Sequence, residues 1–394
     1  MTVYEYMNEF IIYIIILILI LLIFTYHFKP ELFTTKHLEQ FGNKCDNSCS
    51  NMSDISDMSY NIPSGLEYNA EHKNDKNKYF NYLKHYYLRH FHIMTAYNCC
   101  SSGDINSCVE LCALENAMNM GARCLDFEIY NKNGLPIVAT SSKMDSNFTK
   151  DSHNHLIFDD VLKTIMKHAF SDVPNSSDPL LLHFRIQSNT ENTVTMLNNM
   201  AISIKSLIPL NYRLNEKYGN GCRNYDVTSI PINRLKRKII LMCDFNNQVD
   251  QSELYKLINI SALCDNFSTL TETDVSSKSQ QSLKGSSKRT LILSKPDKNN
   301  HNNISVNSFV QQKNIGISMI GMRFQKYDNA SENLSFKKYL SFFSNTAFVI
   351  KSNNLLDLPI VLEEPKKQNP KVSYGTTTFD PLPGVDLPIE ATQI

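Results

Sequence analysis

The chain begins with a short polar flank, residues 1–9, and then an apolar run, Phe10 to Phe28 (FIIYIIILILILLIFTYHF), with no acid, lysine or arginine inside it. As a helix rising about 1.5 Å per residue, the run spans roughly 27 Å, enough for the hydrocarbon core of a bilayer. Glu5 and Glu9 precede it, where a cleaved signal would carry basic residues, and no small-residue cleavage site follows. It therefore reads as an uncleaved, single-pass N-terminal anchor. Residues 29–77 are rich in Ser, Asn and Asp without a sustained period, the pattern of a polar stalk.

From about Lys78 the pattern changes to short apolar strands alternating with amphipathic helices. Strands are predicted near Phe91–Thr95, at Arg123–Tyr130, Leu135–Ala139, Pro179–Ile186 and Lys238–Cys243, and helices at Cys108–Asn119, Phe158–Ala169 and Asn192–Leu207. This alternation implies parallel strands covered by helices. Weaker signals follow: a helix near Ser252–Ile260, a Ser- and Lys-rich break at Ser276–Ser287, and strands at Ile315–Phe324 and Ala347–Lys351. Residues 356–394 are Pro-rich with no periodic apolar face, and an extended or disordered tail is expected there.

Composition narrows the function classes. The 39 basic and 39 acidic side chains of the 394 residues cancel, so no global field favours nucleic acid. The richness in Asn, Ile, Lys and Tyr resembles the coding bias of an AT-rich genome, such as that of a large DNA virus or of some protists. Sidedness stays open. Lys29 and Lys36 after the apolar run favour a cytosolic C-terminal domain, whereas ten cysteines and sequons at Asn51, Asn147 and Asn266 point the other way. No pair of cysteine pairs has the spacing of a structural zinc site.

The stretch GARCLDFEIYNKNGLPIVATSS, Gly121 to Ser142, carries the candidate chemistry. Residues two apart in a strand share a face, so Asp126 and Glu128 point into one small volume and require a cation, a proton or a guanidinium between them.

The stretch also carries a resemblance. RCLDFE, LPIVATS and FDDVLKTIMKHAF occur in the order of the motifs of the phosphoinositide-specific phospholipase C family, followed by LKRKIILM, SELYKLINI, STLTETD and NIGISMIGMRFQ. Together they span roughly Tyr79 to Lys351. The resemblance implies an α/β fold, a distorted TIM (β/α)8 barrel of the phospholipase C-like phosphodiesterase type, with residues 78–245 as its first half and 246–355 as its second. The connection at Asn246–Asp250 is too short for the long autoinhibitory linker of such proteins, so regulation by a linker is not expected.

Carried over residue by residue, the resemblance implies departures at the site. The family's two catalytic histidines fall at Tyr97 and Thr140, neither of which titrates near neutrality in the manner of imidazole. Its calcium ligands fall at Asn98, Asp126 and Glu128, with Arg185 at the fourth position. Arg185 offers a fixed cation in place of a ligand, so residual calcium binding is in doubt and a charge-assisted cluster with Asp126 and Glu128 is expected. Thr271 matches a headgroup-binding serine. The headgroup lysines fall at Met242 and Asp244, and His301 or Lys295 stands nearest the phosphate-gripping arginine. His92 is read as a satisfied core or rim residue.

Three functions remain open on these grounds: a catalytically inactive, membrane-anchored barrel that binds a phosphoinositide or other phospholipid headgroup or serves structurally; an active phosphodiesterase using Tyr97 or a loop histidine such as His153 or His155; and a viral or surface envelope protein whose barrel binds a partner.

Overall fold

The computed structural model describes residues 86–357, apart from 104–106, 144–147, 172, 174, 245–248, 326–333 and 345. The expected anchor, stalk and tail lie outside the described residues, and among these no helix is long and apolar enough to cross a membrane.

In chain order the elements are β1 (Phe91–Ala96), α1 (Leu111–Asn119), β2 (Cys124–Lys132), β3 (Leu135–Ala139), β4 (Leu156–Ile157), α2 (Phe158–His168), β5 (Leu180–Gln187), α3 (Thr193–Leu207) and β6 (Ile239–Cys243). There follow β7 (Ile260–Ser261), β8 (Phe267–Thr271), α4 (Glu272–Ser277), α5 (Gln280–Ser286), β9 (Leu291–Lys295), α6 (Val306–Ile315), β10 (Met319–Met322), α7 (Leu334–Phe342) and β11 (Phe348–Ile350).

Eight strands, in the order β7-β6-β5-β2-β1-β10-β9-β8, pair in parallel and curl into a nearly closed barrel. The seam lies between β7 and β8. Across the link joining them, Cys264 forms a disulfide with Cys222, Cα to Cα 5.5 Å. Three short strands pair antiparallel: β3 on β2, β4 on β3, and β11 on β1.

Alternation in the parallel strands explains the two-layer packing. In β5, Leu182 and Phe184 turn outward, where Phe184 meets Phe127 of β2 and Phe158 of α2 at ring-centroid distances of 6.0 and 5.6 Å. Helix α2 presents Phe158, Val161, Leu162 and Ile165 on one buried stripe, the spacing of an amphipathic helix. The residues between, His183 and Arg185 in β5 and Asp126 and Glu128 in β2, turn into the barrel.

Several expectations are corrected. No helix forms at Ser252–Ile260; a succession of turns fills that stretch, with Tyr255 N–H bonded to Ser252 O and Leu257 N–H to Leu254 O. The β6–β7 and β7–β8 connections carry no helix among the described residues, so the (β/α) alternation is broken there. The Ser- and Lys-rich break is largely helical instead: α5 fills Gln280–Ser286, and α4 runs in as far as Ser277, started by Thr271, which accepts from Asp274 N–H in a reciprocal capping box. The strand expected from Ile315 begins only at Met319, because α6 runs to Ile315 and ends on Gly316 at φ +92°, a left-handed cap suited to glycine. Strands β8 and β9 were not foreseen.

Candidate active site

The register of β2 and β5 sets Asp126 opposite His183 and Glu128 opposite Arg185, at the C-terminal ends of the barrel strands. Arg185 is buried, and its guanidinium fans out across the acids. Nε donates to Asp126 Oδ1 and Oδ2 at 3.0 and 3.2 Å, Nη2 to Asp126 Oδ2 at 2.7 Å, and Nη1 to Glu128 Oε1 at 2.5 Å. Nη2 also donates to the Asn98 side-chain oxygen. Asn98 adopts φ +47°, a conformation asparagine tolerates, and its backbone N–H points at Asp126 Oδ2, 3.2 Å away. The other Glu128 oxygen accepts from Tyr130 Oη at 2.7 Å and from the Ser141 N–H at 3.0 Å.

Burial alone would raise the Asp126 carboxyl, but the Arg185 guanidinium, aided by His183, holds it well below the usual carboxylate range. Arg185 in turn is held charged, since Asp126 overcomes the cost of its burial.

The donor set does not fit a calcium ion. Asn98, Asp126 and Glu128, the three expected oxygen ligands, all accept from one guanidinium, and a divalent cation would have to sit against its positive charge. Among the described residues no group of three or more His, Cys, Asp or Glu side chains is arranged to hold a metal.

Two guanidinium groups stand over the Tyr97 ring, Arg185 at 4.6 Å and Arg323 at 4.8 Å from its centroid. Gly321 makes room for it: a Cβ there would stand 3.3 Å from Tyr97 Cβ and 3.1 Å from the Ser294 carbonyl. Burial, against the pull of Arg185, pushes the Tyr97 hydroxyl up to about 12. Thr140 follows β3 and is buried, its carbonyl accepting from Asp151 and Ser152 N–H at 3.1 Å. The loop histidines do not turn inward: His153 is exposed, and the His155 ring lies 3.2 Å from Lys132 Nζ. Thr271 commits its hydroxyl oxygen to capping α4.

Sequence reasoning missed His183. Its Nδ1 lies 2.7 Å from Asp126 Oδ1 and its Nε2 lies 3.0 Å from Asp244 Oδ1. Ionised carboxylates only accept, so both ring nitrogens carry protons and the ring is an imidazolium. Burial lowers its proton affinity, but Asp244 and Asp126 reverse that and raise it above the ordinary histidine value. Asp244 is held far below the carboxylate range by His183 and then Lys295, which outweigh its burial. Lys295 Nζ stands 2.8 Å from Asp244 Oδ2. The signal was present in LLLHFRIQ: His183 is two residues from Arg185 and shares its face.

Two further cations complete the mouth. Lys298 Nζ is 3.7 Å from Glu128 Oε1, and Arg323 donates to the backbone carbonyls of Asn300, Asn302 and Asp297. Arg323 has no carboxylate within ion-pair distance among the described residues, and its buried Nη1 has no hydrogen-bond partner. The mouth thus holds Arg185, Lys295, Lys298, Arg323 and protonated His183 against Asp126, Glu128 and Asp244, an excess of positive charge.

No protein-family model matches the chain, and no curated protein matches it. Solved structures do. The crystal structure of S. officinalis PLC21 superposes with a TM-score of 0.52 at 15% identity, and that of L. pealei PLC21 with 0.50 at 15% identity. Each match covers 68% of this chain and 37% of the other, so the chain spans little more than a third of those proteins. A calcium-dependent phosphoinositol-specific phospholipase C from Pseudomonas sp matches with a TM-score of 0.42 at 10% identity, over 64% of this chain and 95% of that one. The fold is that of the phospholipase C-like phosphodiesterases.

Proposed function

We propose that this phospholipase C-like barrel binds a phosphate-bearing headgroup without hydrolysing it. The observation that carries the reading is the state of Tyr97. Where the resemblance puts a catalytic histidine, a fully buried phenol ring packs against two guanidinium groups, with its hydroxyl pushed up to about 12. A group so reluctant to ionise cannot take a proton from a sugar hydroxyl at neutral pH. Thr140 offers no proton carrier at the second position, and His183 is sealed between two carboxylates with no face left for a substrate.

The binding half of the proposal rests on charge. Lys295, Lys298 and Arg323 border the mouth, and the excess positive charge suits a phosphodiester or phosphomonoester. The proposal includes the anchor at residues 10–28, which would hold the mouth near a bilayer. The Cys222–Cys264 bridge supports a barrel on the oxidising side of that membrane.

The test is release of water-soluble inositol phosphate from phosphatidylinositol and its phosphorylated forms by the full chain, with calcium and with chelator, beside sedimentation with vesicles of the same lipids. Vesicle binding without release is the expected result. Release by the native protein would overturn the reading.

A further inference from the structure

We infer that a cleft at the other end of the barrel is a binding site for a small oxyanion that carries a proton of its own, hydrogen phosphate being the simplest. The cleft measures about 450 Å³, and His92, Lys284, Lys313, Asn314, Ser352 and Asn354 supply its polar lining. It lies by the beginning of β1, whereas the ionic site lies beyond that strand's end, so the two share no residue.

The argument turns on the tautomer of His92. The residue is only 4% exposed, on the face of β1 that packs against the helices, and its ring meets the Phe342 ring edge-on at 5.5 Å. Its Nδ1 stands 2.8 Å from the Ile317 carbonyl oxygen. A carbonyl can only accept, so the proton is on Nδ1. Burial, then the charges of Lys351 and Lys313, push the ring down to about 3, so at neutral pH no second proton is added. Nε2 is therefore a bare acceptor, and it has no partner among the described residues. As part of the cleft's lining it is open to an O–H or N–H from whatever replaces water there.

The rest of the cleft asks for the opposite. Lys284 and Lys313 bring two ammonium groups, Asn314, Ser352 and Asn354 add polar side chains, and no carboxylate is among the described lining residues. Lys313 is held against the site, its Nζ 5.4 Å from the centroid of Phe342, the ring that also touches His92. One acceptor beside two cations matches an oxyanion with a single O–H: its charged oxygens face the lysines and its hydroxyl donates to Nε2. Sulfate has the charge and the shape but no proton to give. Discrimination between phosphate and sulfate is therefore the signature of the site, and attraction to surface lysines alone would not produce it.

Full-length protein with isotope-labelled histidine would be titrated with inorganic phosphate and with sulfate at matched ionic strength. A parallel arm would use vesicles carrying a phosphomonoester lipid. The expected result is a saturable shift of the His92 ring signals with phosphate, at least about tenfold tighter than any with sulfate, and a loss of about tenfold in Lys313→Gln. Saturation by free phosphate identifies a soluble anion, and saturation only on vesicles identifies a lipid headgroup; either upholds the site. His92→Phe should abolish the discrimination. Should that variant fail to fold, the ring signals of the native protein and the Lys313→Gln titration still decide. Equal binding of the two anions, or a His92 ring that responds to neither phosphate arm, would overturn the inference.

Discussion

His183 donates its Nδ1–H to Asp126 in a 2.7 Å hydrogen bond inside the barrel, while Arg185 claims both oxygens of the same carboxylate. One buried acid thus serves two cations, and the second nitrogen of His183 passes the chain on to Asp244 and Lys295. Such a run of alternating charges is held together by mutual compensation: removing any member leaves its neighbours buried and unpaired.

Arg185→Gln tests this most directly. The substitution leaves His183 as the sole cation paired with Asp126 among the described residues and deprives Glu128 of its closest cation, so a loss of about 3–5 kcal/mol is expected, read by urea or thermal unfolding. Arg185→Lys should recover only part of it, because an ammonium cannot span both acids and Asn98 at once. A loss under about 1 kcal/mol would mean that the cluster is solvated in solution.

The pH dependence of stability follows from the signs of the shifts. Asp126 and Asp244 are depressed, so their contribution is present above the ordinary carboxylate range and is lost as pH falls through their lowered values. His183 is raised, so its contribution is complete below about 6.5 and is lost as pH rises through its elevated value. The network should therefore contribute most between about pH 4 and 6.5. In a series of Tm against pH, His183→Asn should flatten the loss that follows on the alkaline side. An unchanged alkaline slope in that variant would rule out a protonated His183.

How far these features could be read from the sequence depended on whether period or partner sets them. Strand alternation placed Asp126 and Glu128 on one face, and the apolar stripe of FDDVLKTIMKH placed α2 within a residue of its observed end. The same alternation applied to LLLHFRI would have brought in His183. Arg323 and Lys298 were beyond reach, because their positions depend on how β10 and the loop after β9 fold over Tyr97. Strand β8, FSTLT, lacks a clean apolar period, its middle residues being half-buried, and β7 is two residues long. Both are fixed by pairing with neighbours, which a single chain segment does not reveal.

The seam between β7 and β8 lacks ladder hydrogen bonds, and the Cys222–Cys264 bridge ties the link between those strands to a loop 42 residues earlier. Closing a loop of that length in the unfolded chain is worth about 4 kcal/mol in the chain-entropy model. Cys222→Ala with Cys264→Ala should lower Tm accordingly, and because Cys108 and Cys112 are also disulfide-bonded, reductant should lower the Tm of the native protein by more than that of the double variant. Insensitivity of the native protein to reductant would show that the bridge does not form.

Lys351 presents the reverse of the network's logic. It is 2% exposed, its Nζ donates to the Ser287 carbonyl at 3.0 Å, and no carboxylate stands within ion-pair distance among the described residues. Burial, then the charge of Arg89, push its ammonium down to about 7. Because the folded value lies below that of the unfolded chain, the native state holds fewer protons between about pH 7 and 10.5. Stability should rise with pH across that window, and the full penalty, on the order of 4 kcal/mol, applies below it. Lys351→Met removes the charge while keeping the length of the side chain, at the cost of the bond to Ser287 O, for which about 1–3 kcal/mol is charged against the gain. The variant should therefore be more stable than the native protein at pH 6, by about 1–3 kcal/mol, with the advantage vanishing by about pH 10. A destabilised variant at pH 6 would mean that Lys351 is charged and compensated, and that the amine contributes to the packing of β11 against β1.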